Sequence, residues 1–204
     1  MPHERSCYVA RMSEKGSETR ALILHEALQL ASVVGFNALT IGALAERTRM
    51  SKSGLFAHFK SKAELQLQTL DHGRRQFETA VISPAFDAPS GRSRLLELFE
   101  RWRGWDEDAL EGGCIFVGSA AELDDQPGPM REALVRELRR WRDILIRESR
   151  RAIGNGEAPE GAVPEDLAFR MQSIMLGFQY EARLLQVSGA AERATRAFHA
   201  IFAA

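Results

Sequence analysis

The stretch from Thr40 to Phe59, TIGALAERTRMSKSGLFAHF, carries the reading of the fold. Thr40 is a good N-cap for a brief helix through Ile41, Leu44 and Ala45, because its hydroxyl can accept from a backbone N–H that lacks a partner inside the helix. Ser51 opens a second short helix through Leu55 in the same way. Ser61 begins a capping box, Ser61-Lys62-Ala63-Glu64, in which serine and glutamate satisfy each other's end of a third helix. Three caps this close together force very short helices that meet at tight turns. Ala45 is small enough to let two helices cross closely, and Ile41, Leu44, Met50, Leu55 and Phe59 supply apolar pins. That is the pattern of a helix-turn-helix, whose second helix reaches base edges from the major groove while caps and amide groups meet phosphates.

The expected second helix presents Lys52, Ser53, Gly54, Phe56 and Ala57 near its start. Lysine suits guanine O6 or N7, serine suits several bases, and Phe56 and Ala57 suit a thymine methyl. Thr40, Ser51, His58 and Lys62 are placed to fix the nucleic-acid backbone. Charge is distributed to match. The chain as a whole carries −1, but residues 1–62 hold nine lysines and arginines against five glutamates, leaving −5 on the remainder. A basic head on an acidic body suits a polyanion partner.

Outward from this motif, apolar residues recur at helical spacing almost everywhere and no strand signal is found, so the expected class is all-α. A first helix is predicted from about Ser17 to Val34 on the face Ile23, Ala27, Leu30 and Val34, with Gly35 in a left-handed conformation stopping it. The helix opened by Ser61 is expected to reach Phe77 and end before Pro84. Later helices are predicted over about 93–105, 114–123 and 130–154, the last with the stripe Met130, Leu134, Leu138, Trp141 and Leu145. The Gly-, Pro- and Glu-rich run 154–164 reads as a loop. Two final helices are expected over about 165–187 and 190–202. Residues 1–16 read as a disordered tail, 17–77 as the helix-turn-helix domain and 78–204 as a larger helical domain.

With 204 residues, 45% hydrophobic and 27% charged, the chain has the composition of a globular protein with a sizeable core. No uninterrupted apolar run approaches the roughly 20 residues of a membrane span, so no membrane is expected. The first residues lack the apolar stretch of a secretory signal. Cys7 and Cys114 lie far apart with no partner at metal-ligand spacing, which fits a reducing cytoplasm.

The stretch from Ser17 to about Phe77 resembles the DNA-binding domain of the TetR/AcrR family of transcriptional regulators. The resemblance rests on Thr40, on Ser51-Lys52, on Phe56-Ala57-His58-Phe59 and on Ser61-Lys62-Ala63-Glu64-Leu65, and covers about a third of the chain. The sequence departs from the family pattern at three positions. Arg49 stands where the turn usually has glycine, and Phe56 and His58 stand where tyrosines are usual. A non-glycine at that turn implies either a left-handed residue or a different turn.

The resemblance implies a homodimer that binds operator DNA, represses transcription, and releases DNA when a small-molecule effector enters the C-terminal domain. No cofactor or metal is implied. Phe99, Trp102, Trp105, Phe116, Trp141 and Phe178 are the candidate effector-pocket residues. Leu167, Met171, Ile174, Met175, Phe178 and Leu185, with Phe198 and Phe202 of the last helix, are the candidate dimer residues, since the apolar arc here is too wide for one packing partner. The alternatives are a ligand-independent regulator or activator, and a helical adaptor without DNA binding. Cys114 reads as a buried small hydrophobe, the other reading being an activated thiol at a helix start. The arginines from Arg131 to Arg151 read as a solvated face. Enzymatic function is not expected: Gly113 to Ser119 lacks the lysine of a phosphate loop, and no nucleophile elbow, zinc-protease or paired-cysteine motif is present.

Overall fold

The computed structural model describes residues 3–203, with side chains described from Gly16. Helix α1 spans His3–Ala38. The helix thus begins ahead of the expected start at Ser17 and takes in residues 3–16 of the expected tail; the side chains of residues 3–15, Cys7 included, lie outside those described. Three short elements follow: α2 (Ile41–Thr48), α3 (Lys52–Phe56) and α4 (Lys62–Phe77). Helix α4 reaches Phe77 as expected, but the helical path does not stop before Pro84. It runs through a π-helical turn, Glu78–Ile82, into α5 (Ser83–Ala85), where Pro84 occupies the first turn and its missing N–H costs nothing.

Helix α6 (Arg92–Gly104) ends in a second π turn, Trp105–Ala109, and is followed by α7 (Ile115–Leu123), α8 (Pro129–Gly154) and α9 (Pro164–Gln179). A third π turn, Tyr180–Leu184, leads to α10 (Ala190–Ala200). No strand occurs among the described residues.

Gly35 breaks α1 at φ 79°, ψ 166°. The φ is positive, as expected of a stop, but the ψ is extended, a region open essentially to glycine alone. Residues 16–38 of α1 are long and apolar enough to cross a bilayer by length and composition, which the run-based sequence criterion missed. Here Ile23, Leu24, Ala27, Leu28 and Ala31 are buried, and α1 packs on α2, α4 and α7.

One continuous core runs through both domains, from Leu28 and Leu44 in the head to Met171 and Phe198 in the body. Helices α8 and α9 pack along each other, with α4 and α6 against α8 and α10 against α9. A buried ion cluster fastens α6 to α8. The fully buried carboxylate of Glu148 meets Arg94 at 3.4 Å and Arg151 at 2.8 Å, and accepts from the backbone N–H of Gly91 at 3.3 Å.

Candidate nucleic-acid interface and effector cavity

The head is built by its caps. Thr40 Oγ1 accepts from the Ala43 N–H, Ser51 Oγ from the Gly54 N–H and Ser61 Oγ from the Glu64 N–H, each at 3.1 Å. The glutamate of the capping box returns the contact one residue earlier than the motif predicts, accepting from the Lys60 N–H at 3.0 Å. Arg49 closes α2 at φ 55°, ψ 27°, so the turn keeps its left-handed shape without glycine. Leu44, Leu55 and Phe59 are fully buried beneath the pair of helices.

Because Leu55 anchors α3 inward, Lys52, Ser53, Phe56 and Ala57 face outward, with the Phe56 ring 52% exposed. Lys52 folds back beside α2. A Cβ added to Gly42 would lie 3.7 Å from Thr40 Oγ1 and 3.9 Å from Lys52 Nζ, so cap hydroxyl and ammonium flank the same helix start. Gly54 is half-buried beneath Ser51 Oγ, and His58 is half-buried with its carbonyl accepting from Arg20 at 2.9 Å. Lys62 remains exposed, but its ammonium donates to the Asn37 carbonyl at 2.5 Å.

The charge count over residues 1–62 did not separate exposed cations from committed ones. Arg20 is tied to Gln68 and Glu64, and Arg47 to Glu26 and Glu111. Arg49 and Lys60, which the motif did not single out, are exposed beside α3.

Behind the head lies a narrow cavity between α4, α6, α7, α8 and α9. Its volume is about 40 Å³, room for about three water molecules. Phe77 is its hub, meeting Trp105 at 5.5 Å and Phe116 and Trp141 at 5.4 Å, all edge-on. Of the six expected pocket residues, Trp102, Phe116 and Trp141 line the cavity. Phe99 does not, because it stacks on Phe198 at 4.1 Å between α6 and α10. Phe178 packs on Trp102 at 6.0 Å, and Trp105 stands behind Phe77. Sequence reasoning missed Phe77 and Ile82 because they precede the expected body helices, and missed the polar rim of Arg74, Glu137, Arg140 and Gln172. Gln172 accepts from the Trp141 indole at 3.1 Å, joining α8 to α9 at the wall.

Cys114 borders the cavity but lacks the surroundings of an activated thiol. It is fully enclosed, and desolvation pushes its pKa up to about 11, the reverse of an activated cysteine. Its backbone N–H donates to the buried Asp106 carboxylate at 2.8 Å. Loss of solvent raises the pKa of Asp106, with the hydrogen bond from Cys114 opposing that rise.

The segment between this cavity and α7 is fastened to the head. Arg47 of α2 donates to Glu26 at 2.8 Å and to both oxygens of Glu111, at 3.2 Å and 2.5 Å. Those two carboxylates hold the Arg47 pKa above its usual value. The Glu111 N–H donates to Gln29 Oε1 and the Gly112 N–H to Ser32 Oγ, each at 2.9 Å. A Cβ on Gly112 would fall 1.8 Å from the Ser32 carbonyl oxygen, so only glycine fits there. On α7, the Glu122 carboxylate accepts from the Phe36 N–H at 2.9 Å and from the Asn37 N–H, capping the turn after Gly35.

The expected dimer residues are corrected by burial. Leu167, Met171, Met175, Phe178, Phe198 and Phe202 are buried inside the protomer, and Ile174 packs half-buried against the same core. Of that set only Leu185 is exposed. The arc on α9 is wide because the helix has two apolar faces. The outer one carries Phe169, 73% exposed, and Leu176, and continues through Tyr180 and Leu184.

Comparison with known proteins agrees with this architecture. The profile described as "Bacterial regulatory proteins, tetR family" matches residues 23–69, and "Tetracyclin repressor-like, C-terminal domain" matches residues 91–198. A TetR transcriptional regulator from Chloroflexus aurantiacus J-10-FL is 25% identical, with a TM-score of 0.78 over 92% of this chain and 95% of that one. A TetR-family regulator from Cytophaga hutchinsonii shares the fold at 17% identity, TM-score 0.77, over 93% and 95% of the two chains. AibR, solved in complex with isovaleryl coenzyme A and operator DNA, shares it at 20% identity, TM-score 0.74, over 90% and 98%. No curated protein matches the sequence. With one profile on the capped head and the other across more than half of the chain, this protein belongs to the TetR family of transcriptional regulators.

Proposed function

We propose that the protein is a cytoplasmic repressor that binds operator DNA as a homodimer and lets go when a small molecule enters the cavity behind Phe77. The observation that carries this reading is the outward face of α3, where Lys52, Ser53, Phe56 and Ala57 stand exposed on a helix anchored by Leu55. Lys52 and Ser53 supply donors to base edges, and Phe56 and Ala57 supply apolar contact to a thymine methyl. Thr40, Ser51, Gly54, His58 and Lys62 position the backbone. Lys62 would exchange the Asn37 carbonyl for a phosphate oxygen.

The second copy sits on the outer α9 stripe of Phe169, Leu176, Tyr180 and Leu184, large apolar side chains that the protomer leaves uncovered. Two heads related by a two-fold axis then meet half-sites about one DNA turn, or roughly 34 Å, apart. The cavity holds only about 40 Å³, so an effector must spread the aromatic walls, and the links through Glu111 and Glu122 carry that strain to α2 and the α1–α2 turn. The AibR complex, with both an organic ligand and operator DNA, supports a fold of this kind serving both partners. The affinity change equals the difference in effector affinity between the two head arrangements.

Lys52→Ala tests the recognition face. Binding to the preferred operator is expected to weaken by about 1–3 kcal/mol, with preference relaxed at one base pair. A loss that is uniform over all DNA sequences would make Lys52 a backbone contact only.

A further inference from the structure

Beside the cavity, and sharing Ile82 and Arg140 with it, a broad open cleft runs between α8 and the π turn Glu78–Ile82. Four arginines of α8 line it, Arg136, Arg139, Arg140 and Arg147, against two carboxylates, Glu78 and Asp143. Arg140 is held by Glu78 at 2.5 Å and Arg147 meets Glu148 at 3.4 Å, whereas no ion pair forms at Arg136 or Arg139 among the described residues. Arg136 lies three and four residues ahead of Arg139 and Arg140, where like charges on a helix repel each other. A solvated arginine face does not require such crowding, and an anion in the cleft relieves it. From Arg136 to Arg147 the helix rises about 16 Å, longer than a single carboxylate or phosphate needs. At the far end stands the Phe86 ring, 37% exposed, with the Arg147 guanidinium 5.6 Å from its centroid.

The cavity and the cleft differ in chemistry but share Ile82 and a single charged residue, Arg140. The inner part, walled by Trp102, Phe116 and Trp141, is apolar and takes a compact branched or aromatic group. The outer part is cationic and extended. Arg140 lines both, so an anionic group arriving there competes with Glu78 for its guanidinium and unfastens α8 from the π turn. Adaptability of that wall fits the π turn itself, whose wider hydrogen bonding often marks functional sites.

We propose that the effector is a two-part anion, a compact apolar acyl or aryl group seated in the cavity and joined to a phosphate-bearing carrier that lies on the arginine cleft of α8. This rests on the reading of the cavity as the effector site, and it adds the cleft and the ligand's charge. Arg136 and Arg139 bind the carrier, and Arg140 reads the junction.

The test titrates the full-length protein, by calorimetry and by the fluorescence of its cavity tryptophans, with isovaleryl- and benzoyl-coenzyme A, free coenzyme A, isovalerate and benzoate. The expected result is that at least one thioester binds ten-fold or more tightly than its free acid and than coenzyme A alone, with affinity falling as salt rises. Arg136→Gln/Arg139→Gln, both exposed and neither lining the cavity, should weaken that thioester ten-fold or more and leave binding of the free acid unchanged. Saturable binding of an acid as tight as its thioester would overturn the proposal, as would a double variant that binds the thioester normally, or no binding by either thioester. Operator binding is followed in parallel. A thioester that binds through the arginines without altering DNA affinity upholds the two-part site and removes its effector role, whereas an acid that alone releases DNA upholds the effector cavity and removes the cleft.

Discussion

Arg49 holds φ 55° and ψ 27° at the turn between α2 and α3, where a side chain with a Cβ costs about 1–2 kcal/mol. Glycine removes that cost but gives back about 0.5–1 kcal/mol in unfolded-state entropy. Arg49→Gly is therefore expected to raise the melting temperature by about 1–4 °C, read by calorimetry without DNA. A fall would mean that the arginine side chain contributes contacts that outweigh the strain. Cys114 supplies a second residue-level test. With its pKa raised to about 11 by burial, the thiolate is scarce until pH approaches that value, so reactivity should stay suppressed at pH 8 and appear only on unfolding. In a Cys7→Ser background, a thiol reagent should label the native protein slowly and the denatured protein at once. Fast native labelling at pH 8 would show that the cavity admits solvent to Cys114. At this scale the sequence was highly legible. The caps Thr40, Ser51 and Ser61 depend on neighbours three residues away, and each appears where its motif placed it.

Between elements, what decided the structure was pairing across long separations. Glu148 is one acid among the alternating charges of α8, and the pattern reads as a solvated face. It is nevertheless fully buried, because Arg94 and the Gly91 N–H arrive from more than fifty residues earlier in the chain. Removing one partner of such a cluster strands the others. Glu148→Ala is expected to cost about 3–5 kcal/mol in urea denaturation, with Glu148→Gln costing less because its one carbonyl oxygen can still accept from Arg94 and Gly91. Equal losses would shift the weight from charge to packing volume. Helix α9 shows the same limit on reading. Both of its faces are apolar, so periodicity could not say that Leu167, Met171 and Met175 turn inward while Phe169 and Leu176 turn out. The aromatics behaved likewise. Phe99 and Trp102 lie on one helix at neighbouring positions, yet Phe99 stacks on Phe198 while Trp102 walls the cavity.

Across the whole molecule, head and body are joined by a few polar struts over a shared core. Glu111 holds Arg47 of α2, and Glu122 caps the turn at Phe36 and Asn37. The segment that carries Glu111 begins at the π turn of Trp105 and ends at Cys114 on the cavity, so a change in the cavity walls has a short covalent path to α2. Neither strut was visible from the sequence, since each joins residues more than sixty positions apart. The proposed function requires α3 to read a specific base sequence in a two-fold assembly. Selection of bound fragments from a random double-stranded DNA pool by the purified protein, at physiological salt, tests it most directly. An enriched near-palindrome is expected, with half-site centres about 10 base pairs, or a multiple of one helical turn, apart. Recovery of a pool no different from the input, or of a single unrepeated site, would contradict it.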